Sequence, residues 1–259
     1  MTRALIGHTG FVGATLLAEG GFTHGFNRAD IEEMRGQRFD EIVCAGVPGS
    51  RAEANRDPGR DRDTIARLLA ALETVRAGRF VLISTTAVYA DLSRPQDEEA
   101  EPDPGGTGEP YGRHRLDVER FVAARFPVCA IVRLPSLFGA GLRENALFDL
   151  LHNRDTEALN PAARLQWYPT RRLGADLARI AGAGLGLVNL VSEPVALAEV
   201  IRRFFPETPV GPEAGPAPGH DLRTRHARLF GGEPPYVAAR AQVLAAMADY
   251  LKGVRRRAN

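Results

Sequence analysis

Lysine is almost missing from this 259-residue sequence: Lys252 is the only one, and all other positions in the Lys+Arg count of 33 are arginine. A site that calls for a lysine earlier in the chain must manage with arginine, which keeps the charge but does not readily pass a proton at neutral pH. Cysteine is nearly as scarce. Cys44 and Cys129 sit in the apolar runs 41–44 and 127–132, without motif spacing. That excludes a disulfide framework and a zinc site, and reads both as small buried fillers of strands. The histidines (8, 24, 114, 152, 220 and 226) show no paired metal-ligand spacing, so no metal is expected. Net charge is only +1, so no global field calls for nucleic acid or an anionic membrane. Arg255 to Arg257 read as a solvated helix end. No stretch approaches the ~18 consecutive apolar residues of a membrane span. The first apolar run is short and closed by Gly7, so no secretory leader is expected either. These absences predict a soluble, cytoplasmic protein with no nucleic-acid or membrane partner.

What is present is ordinary for a globular chain: 44% apolar and 25% charged residues, enough for a sizeable core. The length allows one domain or two closely joined ones. The chain is organised around its beginning. Ala4 to Ile6 reads as a strand, Gly7, Gly10 and Gly13 follow, and Phe11 to Ala18 reads as a helix. Strand, glycine turn and helix make the first half of a dinucleotide-binding βαβ unit. The glycines let the backbone turn tightly and approach a pyrophosphate, with Thr9 to Val12 lying over it. The helix start offers free N–H groups and a positive dipole end to the phosphates.

Downstream, strands are predicted over 21–27, 39–46, 79–84 and 128–133, and helices over 61–77 and 111–126. Residues 31–38 read as a connecting segment or small helix, 47–59 as a loop and 91–110 as a long loop. Strands alternating with helices predict a parallel sheet with right-handed crossovers. From Phe138 the pattern changes. Short helices are predicted over 146–151, 173–182 and 194–205, strands over 164–168 and 185–191, a proline-rich loop over 206–219, and a last helix over 236–252. There is no internal repeat.

Two later stretches carry chemistry. Ser84-Thr-Thr-Ala-Val-Tyr89 follows a buried strand, and Tyr111-Gly-Arg-His-Arg115 opens a helix. Positions 111 and 115 share a helix face. A tyrosine hydroxyl near a cation and a Ser/Thr hydroxyl can donate or accept a proton at a carbonyl or alcohol. The cation favours the phenolate, whose ordinary pKa is about 10.

With the glycine turn, these stretches resemble the extended short-chain dehydrogenase/reductase family, of NAD-dependent epimerase/dehydratase type. The resemblance covers most of the chain, as an atypical branch with Tyr-x-x-x-Arg in place of Tyr-x-x-x-Lys. It implies a doubly wound, parallel-sheet α/β (Rossmann) fold with a small C-terminal substrate lobe. The core would span 1–140, with 171–191 returning to it, and the lobe 141–170 and 192–259. It implies Tyr111 as acid/base, Thr85 as the hydroxyl on the reacting oxygen, and Arg115 as the group that holds the nicotinamide ribose and biases Tyr111. Gly7, Thr9, Gly10, Phe11, Val12, Gly13, Asn27, Arg28, Ala45, Gly46, Ser84 and Pro135 would line the cofactor. The divergent segment offers Asn145, Gln166 and Tyr168 as substrate contacts.

The departures sharpen the expectation. Arg115 replaces a lysine that no other residue can supply. Thr86-Ala87 stands where nucleotide-sugar dehydratases carry acids, which lowers dehydratase activity as an expectation. The second strand ends in Asn27-Arg28 instead of an acid, tipping NAD(P) slightly towards NADP. The expected function is an oxidoreductase or epimerase on a sugar-like metabolite, a nucleotide sugar by resemblance. The alternative is a dinucleotide-binding sensor with attenuated turnover. The resemblance also implies a homodimer through the helices that start near Asp61 and Tyr111, although their apolar residues could equally all face the sheet.

Overall fold

The computed structural model describes residues 1–103, 108–213 and 217–258. In chain order it runs β1 (Arg3–Ile6), α1 (Phe11–Glu19), β2 (His24–Phe26), a 3-10 turn (Ile31–Met34), β3 (Arg38–Cys44), α2 (Arg51–Arg56), α3 (Pro58–Leu72) and β4 (Arg76–Thr85). Then follow α4 (Pro110–Arg125), β5 (Cys129–Leu134), β6 (Ser136–Phe138), α5 (Ala146–His152), β7 (Arg164–Leu165), β8 (Trp167–Pro169) and α6 (Leu173–Ala183). The chain closes with β9 (Leu187–Asn189), β10 (Val195–Ala196), α7 (Leu197–Phe204) and α8 (Arg240–Ala258).

The chain divides into two compact units. The first comprises Met1–Asp91, Glu101–Leu134 and Leu173–Val188. Its six-stranded sheet has the order β2-β1-β3-β4-β5-β9, and the pairs from β2 across to β5 are parallel. The order reverses between β1 and β3, and the crevice outside the carboxyl ends of those two strands is where a doubly wound sheet takes a ligand. Both faces of the sheet are covered. In β4, Phe80 and Leu82 point one way and Val81 and Ile83 the other, and all four are buried, as parallel strands require. Ile65, Leu68 and Leu72 of α3 and Val118 and Val122 of α4 pack into one core with Ile42, Phe80, Leu82 and Ile131. The apolar faces of α3 and α4 are therefore spent on their own sheet.

The second unit comprises Leu92–Ala100, Pro135–Arg172 and Asn189–Asn259. It is built on two small sheets: β6 parallel to β8, and β10 antiparallel to β7. The expected boundary at 140 falls instead at Leu134 and Pro135, and the segment 92–100 belongs to the second unit. Glu98 ties it there, accepting from the backbone N–H of Asn189 (2.8 Å) and the hydroxyl of Thr224 (2.6 Å).

Two local readings are corrected. The expected loop 47–59 contains α2 and the start of α3. Ser50 accepts from the N–H of Glu53, Asp57 accepts from the N–H of Arg60, and Pro58 stands in the first turn of α3. These are ordinary helix-start signals, hidden in a stretch rich in proline and glycine. The expected strand 164–168 is two strands, because Gln166 leaves the ladder and hands the chain from one small sheet to the other. Part of the expected loop 91–110 lies outside the described residues. No helix among the described residues is long and apolar enough to cross a membrane.

Beneath β4, the first unit buries an ionic network. Arg133 bonds Glu119 through Nε (3.1 and 3.2 Å) and Nη2 (2.6 Å), and Tyr89 Oη through Nη1 (2.7 Å). Ser84 donates to the same carboxylate at 2.5 Å. Removing one partner strands the other charge in the interior. Glu119→Ala should lower the unfolding free energy by about 3–5 kcal/mol in a urea titration, whereas Glu119→Leu combined with Arg133→Met should cost much less.

Candidate functional site

The glycine turn at the end of β1 has no room for a side chain at Gly7 or Gly13. Gly7 has φ +84°, and a Cβ there would stand 2.4 Å from Ala45 O. A Cβ at Gly13 would stand 2.1 Å from Gly7 O, and one at Gly46 2.7 Å from Ile6 Cγ2. The turn closes with Gly10 N–H donating to Gly7 O (2.9 Å), and the first helical bond is Ala14 N–H to Gly10 O (2.8 Å). No side chain caps α1, so the N–H groups of Phe11, Val12 and Gly13 have no partner within the helix. Thr9 is exposed, and Phe11 and Val12 are half-buried. Ala45 and Gly46, at the end of β3, form the opposite wall. A concave backbone surface with N–H donors and a helix dipole is chemically suited to a pyrophosphate, so these residues fit a dinucleotide. His8, which the sequence pattern did not single out, lies across β2. Its Nδ1 is 3.2 Å from where a Gly25 Cβ would be, a tight approach from which the imidazole would have to give by a few tenths of an ångström.

At the end of β2, Asn27 is consumed by a turn. Its N–H and Nδ2 donate to Asp30 (2.5 and 3.2 Å), and its Oδ1 accepts from Ala29 N–H (2.7 Å). Asn27 thus shapes the backbone instead of offering its amide to a ribose, and Arg28 is left exposed at the apex. Thr85 closes β4, half-buried, with Oγ1 accepting from Ala87 N–H (3.1 Å). Its neighbour Ser84 faces the interior and is held by Glu119. Pro135 opens the second unit directly after β5.

Tyr111 lies in the first turn of α4, half-buried, after Pro110 at the helix start. The Arg115 guanidinium stacks over its ring with Cζ 4.0 Å from the centroid. Arg115 itself is 3% exposed. Its Nη1 bonds Asp61 Oδ2 (2.5 Å), and Nη2 bonds Asp61 Oδ1 (2.9 Å) and the carbonyl of Pro48. This fork meets a carboxylate of α3 through its terminal nitrogens, while its Nε is buried without a hydrogen-bond partner among the described residues. Arginine does here what lysine cannot, meeting a carboxylate with two parallel bonds while lying over a ring. Asp61 was anticipated only as an acid near a helix start. It is buried beside His114, whose Nδ1 is 2.7 Å from Asp61 Oδ2, and nothing in the sequence marks that burial.

The three substrate candidates have other occupations. Gln166 is 1% exposed, donates to the carbonyls of Ser192 and Leu222 (both 2.7 Å) and accepts from Leu222 N–H (3.0 Å). Tyr168 is equally buried, in the core of the second unit. Asn145 caps α5, accepting from Leu147 and Phe148 N–H and donating to Leu137 O (2.7 Å). Each of these side chains takes part in the internal structure of the second unit.

The sequence profile described as "NAD dependent epimerase/dehydratase family" matches residues 26–155. The chain belongs to the NAD-dependent epimerase/dehydratase family. The glycine turn lies upstream of the matched residues, so turn and profile are independent observations. No curated protein sequence matches the chain. Among solved structures, it is similar to a dTDP-4-dehydrorhamnose reductase from Clostridium acetobutylicum (TM-score 0.74, 16% identity, 98% of this chain and 100% of that one). It is also similar to MoeE5 in complex with UDP-glucuronic acid and NAD (0.76, 16%, 99% and 100%). A third is the UDP-glucose 4-epimerase of Thermotoga maritima with UDP-glucose (0.72, 14%, 100% of each chain). At these identities the likeness is one of fold.

In this family member the Asp61 carboxyl has two opposing influences. Burial pushes its pKa up, but the bonds from Arg115 and His114 outweigh it and hold the pKa below the ordinary 3.8. A depressed carboxylate stabilises the fold above its unfolded pKa, and that contribution is lost as pH falls through the folded one. The stability gap between the parent and Asp61→Asn should therefore be full at neutral pH and should narrow below about pH 4. Thermal unfolding across pH 2–7 checks this, and a gap that does not change with pH would contradict it.

Proposed function

We propose that the chain is an NAD(P)-dependent oxidoreductase or epimerase acting on a carbonyl or hydroxyl of a nucleotide sugar. The observation that carries the reading is Tyr111 in the first turn of α4, under a guanidinium held by a buried carboxylate. It stands in a unit whose glycine turn suits a pyrophosphate. The similar structures include a dTDP-4-dehydrorhamnose reductase, a protein complexed with NADPH and another complexed with UDP-glucose and NAD. When bound, the nicotinamide would supply or take the hydride.

The residues of the chain do the rest. The Tyr111 hydroxyl gives a proton to the reacting oxygen in reduction and takes it back in oxidation. Thr85 keeps its Oγ1 acceptor on Ala87 N–H and donates its O–H to the same oxygen. Arg115 holds the plane of the Tyr111 ring and its cation favours the phenolate, tempered by the charge of Asp61. The N–H groups from Thr9 to Val12 bind the pyrophosphate. Arg28, exposed at the end of β2, favours the additional phosphate of NADP(H).

A second reading is binding without turnover, as a dinucleotide sensor. The engagement of Arg115 by Asp61 favours it, because the cation is not available to a ribose. Both readings are separated by assaying NADH- and NADPH-dependent reduction of dTDP-4-dehydrorhamnose and interconversion of UDP-glucose. On the enzyme reading, Tyr111→Phe loses turnover by about 100-fold or more while cofactor affinity, read by fluorescence titration, holds. Unchanged turnover in Tyr111→Phe would overturn it. A parent protein that binds cofactor and turns over none of these probes would favour the sensor.

A further inference from the structure

The first turn of α4 is capped from outside. Pro110 has no N–H, so the first donor of the helix belongs to Tyr111. Glu109, the residue before the helix, makes no side-chain cap. The Tyr111 N–H is instead taken by Asn55 Oδ1 of α2 at 3.1 Å. The other end of the same amide, Asn55 Nδ2, donates to Glu109 Oε2 at 2.9 Å. Glu109 is in turn gripped by Arg51, one turn earlier on α2, through Nε (2.6 Å) and Nη2 (2.8 Å). Positions 51 and 55 share a face of α2, so that face closes on residues 109 and 111.

We propose that Arg51, Asn55 and Glu109 form a clamp that positions Tyr111 for proton transfer, with Asn55 as the positioning residue at its centre. The inference rests on the reading of Tyr111 as the acid/base. The chemistry explains the choice of side chains. The Asn55 amide offers an acceptor to the Tyr111 N–H and, on a separate atom, a donor to the Glu109 carboxylate. A carboxylate at residue 55 would oppose Glu109. Glu109 also complements the positive end of α4, and its bidentate pairing with Arg51 fixes the plane of its carboxylate. Near Tyr111 stand Arg115 of α4, whose partner Asp61 of α3 also meets His114, and Arg51 of α2 with its partner Glu109. The Arg51 guanidinium is held above its ordinary pKa, first by the bond to Glu109 and further by the nearness of Tyr111. Arg115 orients the ring from one side, and the clamp fixes the backbone that carries it.

The test uses Asn55→Asp, Glu109→Gln and their combination, with Asn55→Ala, in the full chain. Two readouts are taken: amide hydrogen exchange at Tyr111 by NMR, and NADPH-dependent reduction of dTDP-4-dehydrorhamnose. Asn55→Ala should speed exchange at Tyr111 by about tenfold or more relative to the middle of α4. Asn55→Asp keeps the acceptor but sets two carboxylates against each other. It should lower kcat by about tenfold with the KM for NADPH little changed. Adding Glu109→Gln restores one donor opposite one acceptor with the polarity reversed, and should recover most of the loss. A cap that served stability alone would leave kcat unmoved in Asn55→Asp, and that result overturns the proposal. So would unchanged exchange in Asn55→Ala, or a double variant no better than the single. The exchange readout needs no substrate, so it decides the clamp even where the probe is not turned over. Retained turnover in Tyr111→Phe would instead count against the acid/base reading.

Discussion

One buried ion pair sets the geometry on which the candidate site depends. Asp61 and Arg115 are 6% and 3% exposed, and their two parallel bonds join α3 to α4. Burying two charges is expensive, and a pair of this kind is weak evidence for net stability. Its value lies in specificity: an unpaired guanidinium or carboxylate at that depth would be far costlier than the pair, so the two helices have one acceptable register. The same guanidinium lies over the Tyr111 ring and reaches the carbonyl of Pro48. Helix packing, loop position and the plane of the phenol ring are thus fixed by one side chain.

The sheet supplies the second constraint. Its strand order reverses between β1 and β3, the point at whose carboxyl ends doubly wound sheets take their ligands. Gly7, Gly13 and Gly46 bring three stretches of backbone so close there that any Cβ would collide. The proposed phosphate end is made of backbone, whose geometry follows from the fold. The proposed reacting end is made of side chains, which need support. The ionic pair supplies that support from α3, and the Asn55 amide supplies it from α2.

The parallel sheet was legible in the sequence because buried strands such as 79–84 are continuous apolar runs. The glycine turn was legible because its spacing follows a strand directly. Tyr111 and Arg115 were legible as a pair because they sit one helical turn apart. What Arg115 does was not, since its partner lies 54 positions away in another helix and nothing local marks Asp61 as buried. Gln166 and Asn145 show the converse. Polar residues in a divergent segment look like ligand contacts, but each satisfies backbone groups that the irregular second unit leaves without a regular ladder. Helix α2 was missed because proline and glycine around it outweighed the capping serine and aspartate.

The pair itself is most directly tested by a double-mutant cycle on reversible unfolding with Asp61→Asn, Arg115→Met and both. Two residues that compensate each other in the interior should show a coupling of about 3 kcal/mol, the double variant being much less unstable than the two single losses combined. Losses that simply add would mean that Asp61 and Arg115 do not depend on each other, and the support proposed for Tyr111 would fall with them.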